Sequence, residues 1–376
     1  MSYTLRIFQS VADLPEDWNV VIGNHNILLS GEYFRALENS RPQNMECFFV
    51  GFFKENELIG GALFQYLNFL QHKTFQKNEV FCTIRNFVAR QLSKDVMILG
   101  NNMLTGQNGF HFDASKITSE EVIPLLEEAV YTMQKEIRTT SLIIYKDYQS
   151  NFVKYFEGEK HRKYFRFSVQ PNMILRIRES WNNFDDYIND FSKKYRARAK
   201  TAKKKLEGII KKELQLDMIR KYQSEMNVLY QNVAENASFN TFFLRENHFE
   251  SMKENLGGNF RLFGYFSNEK LIGFYTMILN NKDIDTYFLG YEKDCQKQKQ
   301  IYLNMLLDMV EFGIHHRFER IIFGRTALEI KSTIGAEPTE IFGLIKHNNF
   351  MINPFLKTIF PSISPKTEWI QRKPFK

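Results

Sequence analysis

The chain has 376 residues, 43% hydrophobic and 25% charged, with a net charge of +7 and a pI of about 9.0. That length suits two domains, and the composition is that of a globular protein, which excludes a disordered or fibrous one. No apolar run approaches the roughly 18 residues of a membrane span. The start Met1-Ser2-Tyr3-Thr4-Leu5-Arg6 lacks the apolar core of a signal peptide, so a cytoplasmic protein is expected. Cys47, Cys82 and Cys295 are scattered and in no metal-ligand spacing, which predicts buried free thiols and no metal site.

In chain order, Leu5–Phe8 predicts a strand and residues 30–38 a helix. Residues 50–60 follow as an apolar strand, a polar turn and a second strand beginning Leu58-Ile59-Gly60. Residues 263–273 repeat this pattern, with Leu271-Ile272-Gly273 opening the second strand. The offset is constant, since 264 − 51 and 273 − 60 both give 213. Behind the first hairpin, residues 119–137 carry a helical apolar stripe with Thr118 and Glu121 as a capping box, and Leu142–Tyr145 predicts a strand. The polar stretch 157–163 marks a boundary, giving domains 1–165 and 166–376. The second half opens with a strand at Met173–Ile177 and helices near 184–212 and 217–235. After its hairpin come a helix near 300–315, ending in His315 and His316, and a strand at Ile321–Phe323. A helix C-terminus suits a protonated histidine better than it suggests a metal ligand. The repeated order of hairpin, strand, helix and strand predicts an α/β protein with two tandem domains, each a mixed sheet flanked by helices.

Residues 193–212 hold ten Lys and Arg against one acid, Glu207. Tyr195, Ala199, Ala202, Leu206 and Ile210 fall on one helical face, so one side can pack while the others stay charged. The charge fits either an anionic partner or a solvated helix.

The repeat resembles the duplicated GNAT acyltransferase architecture, in particular the FemABX-like and BioF2-like N-acyltransferases. The resemblance rests on three blocks: Phe184–Tyr187 leading into Ser192–Arg196, the strands ending Leu271–Tyr275 and Asp285–Tyr291, and Gly324–Ala336, where Lys331 lies four residues before Gly335. It covers roughly residues 170–345 directly and the first half through the repeat. It implies two GNAT-like domains with mostly antiparallel sheets, in a bacterial protein that moves an acyl or aminoacyl group from a thioester or tRNA ester to an amine. Acyl-CoA is the implied co-substrate, and an anionic small molecule or a cell-wall or lipid precursor the implied acceptor. The chain departs from the pattern where a glycine loop normally grips the CoA pyrophosphate. Cys295–Ile301 contains no Gly, and Thr105-Gly106-Gln107-Asn108-Gly109 misses the spacing. Lys297 and Lys299 are left as candidate phosphate-binding point charges.

Acyl transfer to an amine needs a proton acceptor, an oxyanion partner and a proton for the leaving group. Lys331, just past a strand end, is the candidate for the oxyanion, with Tyr287 and Glu329 as candidate acid and base. Arg325, Arg196, Tyr275 and Asp285 are candidate substrate contacts. Arg325 and Glu329, four residues apart, fit an ion pair with each other equally well. Two rival readings stand beside this one: an aminoacyl-tRNA-dependent Fem-type transferase, and a non-catalytic binding protein on the same duplicated fold.

Overall fold

The computed structural model describes residues 3–68, 94–158, 161–237, 240–358 and 368–376. Cys82 lies outside them; Cys47 and Cys295 are free and half-buried. The chain divides into two compact units. The first comprises 1–169, 238–245 and 340–366, the second 170–237, 246–339 and 367–376. A division at 165/166 would put 340–366 with the second half; the contacts put it with the first.

The first unit is built on β1 (Tyr3–Phe8), α1 (Gly31–Ser40), β2 (Met45–Lys54), β3 (Glu57–Asn68), β4 (Asp95–Leu99), β5 (Phe110–Phe112), α2 (Ser119–Thr132), β6 (Leu142–Gln149) and β7 (Phe165–Phe167). Its sheet runs β1-β2-β3-β4-β6-β15-β7, where β15 (Ile341–His347) arrives from beyond the second unit's strands, and β5 pairs β3. The capping box at Thr118 and Glu121 is formed, and Val122, Leu126, Ala129 and Met133 pack onto the sheet.

The second unit contains β8 (Asn172–Arg176), α3 (Phe184–Asp190), α4 (Lys193–Lys205), β9 (Ile210–Glu213), α5 (Leu216–Lys221), α6 (Gln223–Ala234), α7 (His248–Leu256), β10 (Phe260–Ser267), β11 (Lys270–Asn280), β12 (Asp283–Tyr291), α8 (Lys293–Lys299), α9 (Ile301–His315), β13 (Arg320–Gly324), α10 (Leu328–Ser332) and β14 (Glu337–Thr339). Its sheet runs β14-β8-β13-β12-β11-β10-β9, antiparallel except for β12 with β13. The basic helix ends earlier than its charge pattern suggests. Gly208, at φ +82, turns the chain, and residues 210–213 pair with β10 as an edge strand, leaving Ile210 exposed.

The repeat extends to backbone detail. Both hairpins turn on two residues with positive φ, Glu55-Asn56 and Asn268-Glu269, the geometry that matches strand twist. Both carry a bulge at the same offset, between Phe52/Phe53 and between Tyr265/Phe266. The units part company opposite Leu63 and its counterpart Thr276. In the first unit, Gly100 N donates to Leu63 O (3.0 Å) and Leu63 N to Gly109 O (2.8 Å), so residues 101–108 leave the sheet as a loop. In the second, β12 stays continuous and absorbs the irregularity between Thr286 and Leu289 as a bulge.

Candidate functional site

The bulge in β12 sits where the second sheet opens. β12 pairs with β13 only at Asp283, Ile284 and Asp285, and then runs on to Tyr291 while β13 ends at Gly324. The edge of β12 from residue 286 onward therefore has no ladder to β13, although Thr286 Oγ1 still reaches Ile322 O (3.1 Å). In the first unit, β4 stays paired with β6 from Val96 to Leu99, its full length but for Asp95. Among the described residues, the first unit's β5, the counterpart of the end of β12, also has no ladder to β6, but there Gly106 N donates to Asp147 Oδ2 (3.2 Å) from the 101–108 loop; the second unit has its opening at the same place without that loop. It lies at the carboxyl end of parallel strands, where α/β sheets bind ligands.

Strand alternation and the bulge decide what faces the opening. Asp285 and Tyr287 face the layer of α5, α6 and α7. Tyr287 meets His248, at the start of α7, with OH and Nε2 2.9 Å apart. Phe260 and Phe288 pack around the pair, and His248 is fully buried. Asp285 is buried beside Asn280, whose Nδ2 donates to it at 3.2 Å. Burial, reinforced by Asp283, pushes the Asp285 carboxyl up to about 7, against the pull of Asn280 and Arg320. Arg320 is itself held by Asp283 (2.7 Å from Nε). α6 presses directly on β12: a Cβ on Gly290 would lie 2.5 Å from the backbone of Leu229 and Tyr230.

Tyr275 belongs elsewhere. It points to the opposite face, among Phe263, Tyr265 and the α9 core, fully buried with its OH unpartnered and its pKa raised well above the usual range by burial. It cannot share a substrate with Tyr287. On that face Asp308 of α9 accepts from Lys203 Nζ (2.5 Å) and from the Tyr265 hydroxyl, which ties α4 to α9.

Lys331 is buried at 4% exposure and donates to three carbonyls: Phe323 (2.6 Å), Gly324 (3.3 Å) and Arg325 (2.6 Å). All three of its N–H groups are committed. It clamps a turn in which Gly324, Thr326 and Ala327 have φ of +71, +65 and +47, costly for the two residues with side chains. Burial pulls the ammonium down to about 7. The carbonyls oppose that pull, because only the charged form has three hydrogens to give. Arg325 Nε donates to Gln170 O (3.3 Å). Glu329 pairs with Arg372 rather than with Arg325 (3.0 Å from Nε). Arg196 Nη2 donates to Asn189 O and Phe191 O, both at 3.0 Å, closing the end of α3. The structure thus brings together Asp285 and Tyr287 on one face, and Arg325 and Lys331 in one turn. Glu329, Arg196 and Tyr275 have local partners or surroundings of their own.

Sequence reasoning missed His248. It starts a short helix whose apolar stripe, Phe249, Met252 and Leu256, was the available signal, and only the fold carries His248 itself to Tyr287.

Where a glycine loop was expected to grip a pyrophosphate, the structure has α8, followed by Gln300 in the left-handed region at the start of α9. Gln296 Oε1 accepts from Tyr302 N (2.8 Å), so the first turn of α9 spends an amide on the protein itself. That leaves one fewer donor there for a pyrophosphate, and no glycine loop adds others. Lys297 is exposed. Lys299 lines an open cleft of about 480 Å³ together with Lys270, Glu292 and Cys295. Among the described residues, no group of three or more His, Cys, Asp or Glu is placed to hold a metal, and no helix is long and apolar enough to cross a membrane.

Two repeated units, each a mixed, mostly antiparallel sheet flanked by helices, define a tandem GNAT-like fold. No protein-family model and no curated sequence matches the chain, but solved structures do. FemX is 12% identical, with a TM-score of 0.53 over 87% of this chain and 93% of FemX. L-PGS from Bacillus licheniformis is 11% identical, with a TM-score of 0.51 over 90% of this chain and 97% of that one. A conserved protein of unknown function from Bacteroides thetaiotaomicron is 8% identical, with a TM-score of 0.52 over 92% and 100%. At such identities the likeness is one of fold alone: the chain folds like FemX and L-PGS.

Proposed function

We propose that the chain is an N-acyltransferase that moves an acyl or aminoacyl group from an activated ester, acyl-CoA-like or tRNA-linked, to an amine, at the opening of the second unit's sheet. The observation that carries this reading is the coincidence of that opening with Asp285 and the Tyr287–His248 pair. The end of β12 beyond its β13 ladder is where the donor's acyl carbon and the amine meet. Asp285, with its proton balanced near neutral pH, takes a proton from the attacking amine. Tyr287 gives a proton to the leaving group, and His248, hydrogen-bonded behind it, orients and restores it. Lys331 acts at one remove, holding the turn that carries Arg325, and Arg325 meets an anionic part of the substrate. Cell-wall or lipid precursors are acceptors of this chemistry.

The test is a panel of acyl thioesters and aminoacyl-tRNAs with amine acceptors, following loss of the donor and mass of the product. Wild type should turn over at least one donor. Tyr287→Phe should lose at least about 100-fold while remaining folded, since general acid–base groups contribute 10²–10⁴-fold.

Two observations favour the tRNA-linked donor within this reading: the internally used start of α9, and Lys193, Lys194, Arg198, Lys200 and Lys204 exposed along α4. That donor requires tRNA binding that weakens steeply with salt. Reversing Lys193, Lys194, Lys200 and Lys204 should abolish it; unchanged affinity would remove the tRNA branch and leave the thioester. Lys203 is unsuitable for this test because it is locked to Asp308.

A further inference from the structure

We propose that the loop following β15 in the first unit docks on an anionic lipid surface. In this loop Phe350, Met351 and Phe355 stand 82%, 66% and 61% exposed within six residues. Single exposed apolar side chains are ordinary, but three large ones on one short loop are not.

The loop is also built to hold them out. Asn348 Nδ2 donates to Gln134 Oε1 and Thr140 O, both at 2.7 Å. Asn353 Oδ1 accepts from His347 N (2.7 Å), and its Nδ2 donates to Lys163 O (2.8 Å). Asn349 Oδ1 accepts from Met351 N (2.9 Å). Asparagine amides thus fix the backbone from beneath while the apolar tips make no use of the core. A pre-ordered loop loses little entropy when its tips are buried.

The surrounding charge selects the surface. Residues 341–358 contain no Asp or Glu but include Lys346 and Lys357. The Asn353 bond brings exposed Lys163 alongside. Glu127 of α2 faces the half-buried Lys346, leaving Lys163 and Lys357 as the exposed cations of this region. Apolar tips with two exposed lysines beside them suit the boundary between acyl chains and anionic headgroups, where each cation adds roughly fivefold to partitioning. This inference is independent of the transferase reading, because it needs no substrate.

The test is co-sedimentation of the full chain with vesicles of equal phosphatidylglycerol and phosphatidylcholine, and with pure phosphatidylcholine, in 0.1 M salt. Binding to the anionic vesicles should exceed binding to the neutral ones by at least about tenfold. The variant F350S/M351S/F355S should lose binding by at least about 100-fold with an unchanged melting temperature, since the three side chains are exposed. K163E/K357E should lose it by at least about tenfold. In a separate arm, Phe350→Trp should shift its emission to the blue on adding anionic vesicles. No binding by wild type, equal binding by the triple serine variant, or a wild-type dimer that the serine variant dissolves without any vesicle binding would each overturn the proposal.

Discussion

Replacing Lys331 should destabilise the second unit, and by how much follows from its contacts. Truncation to Ala removes about three buried methylenes, worth roughly 0.8 kcal/mol each. It also leaves the buried Phe323 carbonyl without a donor, at roughly 1–3 kcal/mol. The sum is about 3–5 kcal/mol. Lys331→Met keeps most of the volume and loses only the bonds, so about 1–3 kcal/mol is expected. Urea-dependent hydrogen exchange at residues 321–336 reads this unit by itself, which matters because two units need not unfold as one. The pH dependence supplies a second arm. The folded value near 7 lies below the ordinary 10.5, so between those limits the unfolded chain holds more protons. Wild type should therefore gain stability as pH rises from 7 toward 10, and Lys331→Met should lack that gain. A Lys331→Ala protein as stable as wild type within about 0.5 kcal/mol, with exchange unchanged in this turn, would refute the clamp.

Asp285 has the opposite sign: its folded value is raised from 3.8 to about 7, so stability should fall as pH climbs from 4 to 7. Asp285→Asn should abolish that fall and be the more stable protein at pH 8, by up to about 4 kcal/mol, in chemical denaturation at both pH values. Gly290→Ala should cost more than about 2 kcal/mol in thermal unfolding, because the new methyl meets the α6 backbone and not a movable side chain. Asp308→Ala should cost about 1–3 kcal/mol by the same assay, since it leaves the buried Tyr265 hydroxyl without its acceptor while Lys203 keeps Glu311 (3.1 Å). Reversing Lys193, Lys194, Lys200 and Lys204, by contrast, should move stability by less than about 1 kcal/mol, as they are exposed.

Much of the fold was legible where periodicity is strong. The helix expected near 300–315 is Ile301–His315, the capping box at Thr118 and Glu121 forms, and the hairpins match at their offset. What was not legible depends on long-range pairing. Residues 210–213 carry three charges in four positions and become a strand only because β10 offers an edge. β15 joins the first sheet through partners nearly 200 residues away, a pairing no local pattern encodes. The candidate site divides the same way. Asp285 and Tyr287 could be paired by strand alternation, whereas His248 is 39 residues from Tyr287 and needed the fold. Lys331 was noticed for its position after a strand, but its burial, and so its role as a clamp, depends on how tightly the turn closes over it.

The most direct measurement of the central claim is single-turnover consumption of activated donors, acyl thioesters and aminoacyl-tRNAs, in the presence of amine acceptors, by wild type and Tyr287→Phe side by side. The account predicts an N-acylated product from wild type and a rate at least about 100-fold lower for Tyr287→Phe, whose stability should drop by only about 1 kcal/mol for the lost hydrogen bond. A wild-type protein that consumes neither kind of donor, or a Tyr287→Phe protein that retains full activity, would contradict it.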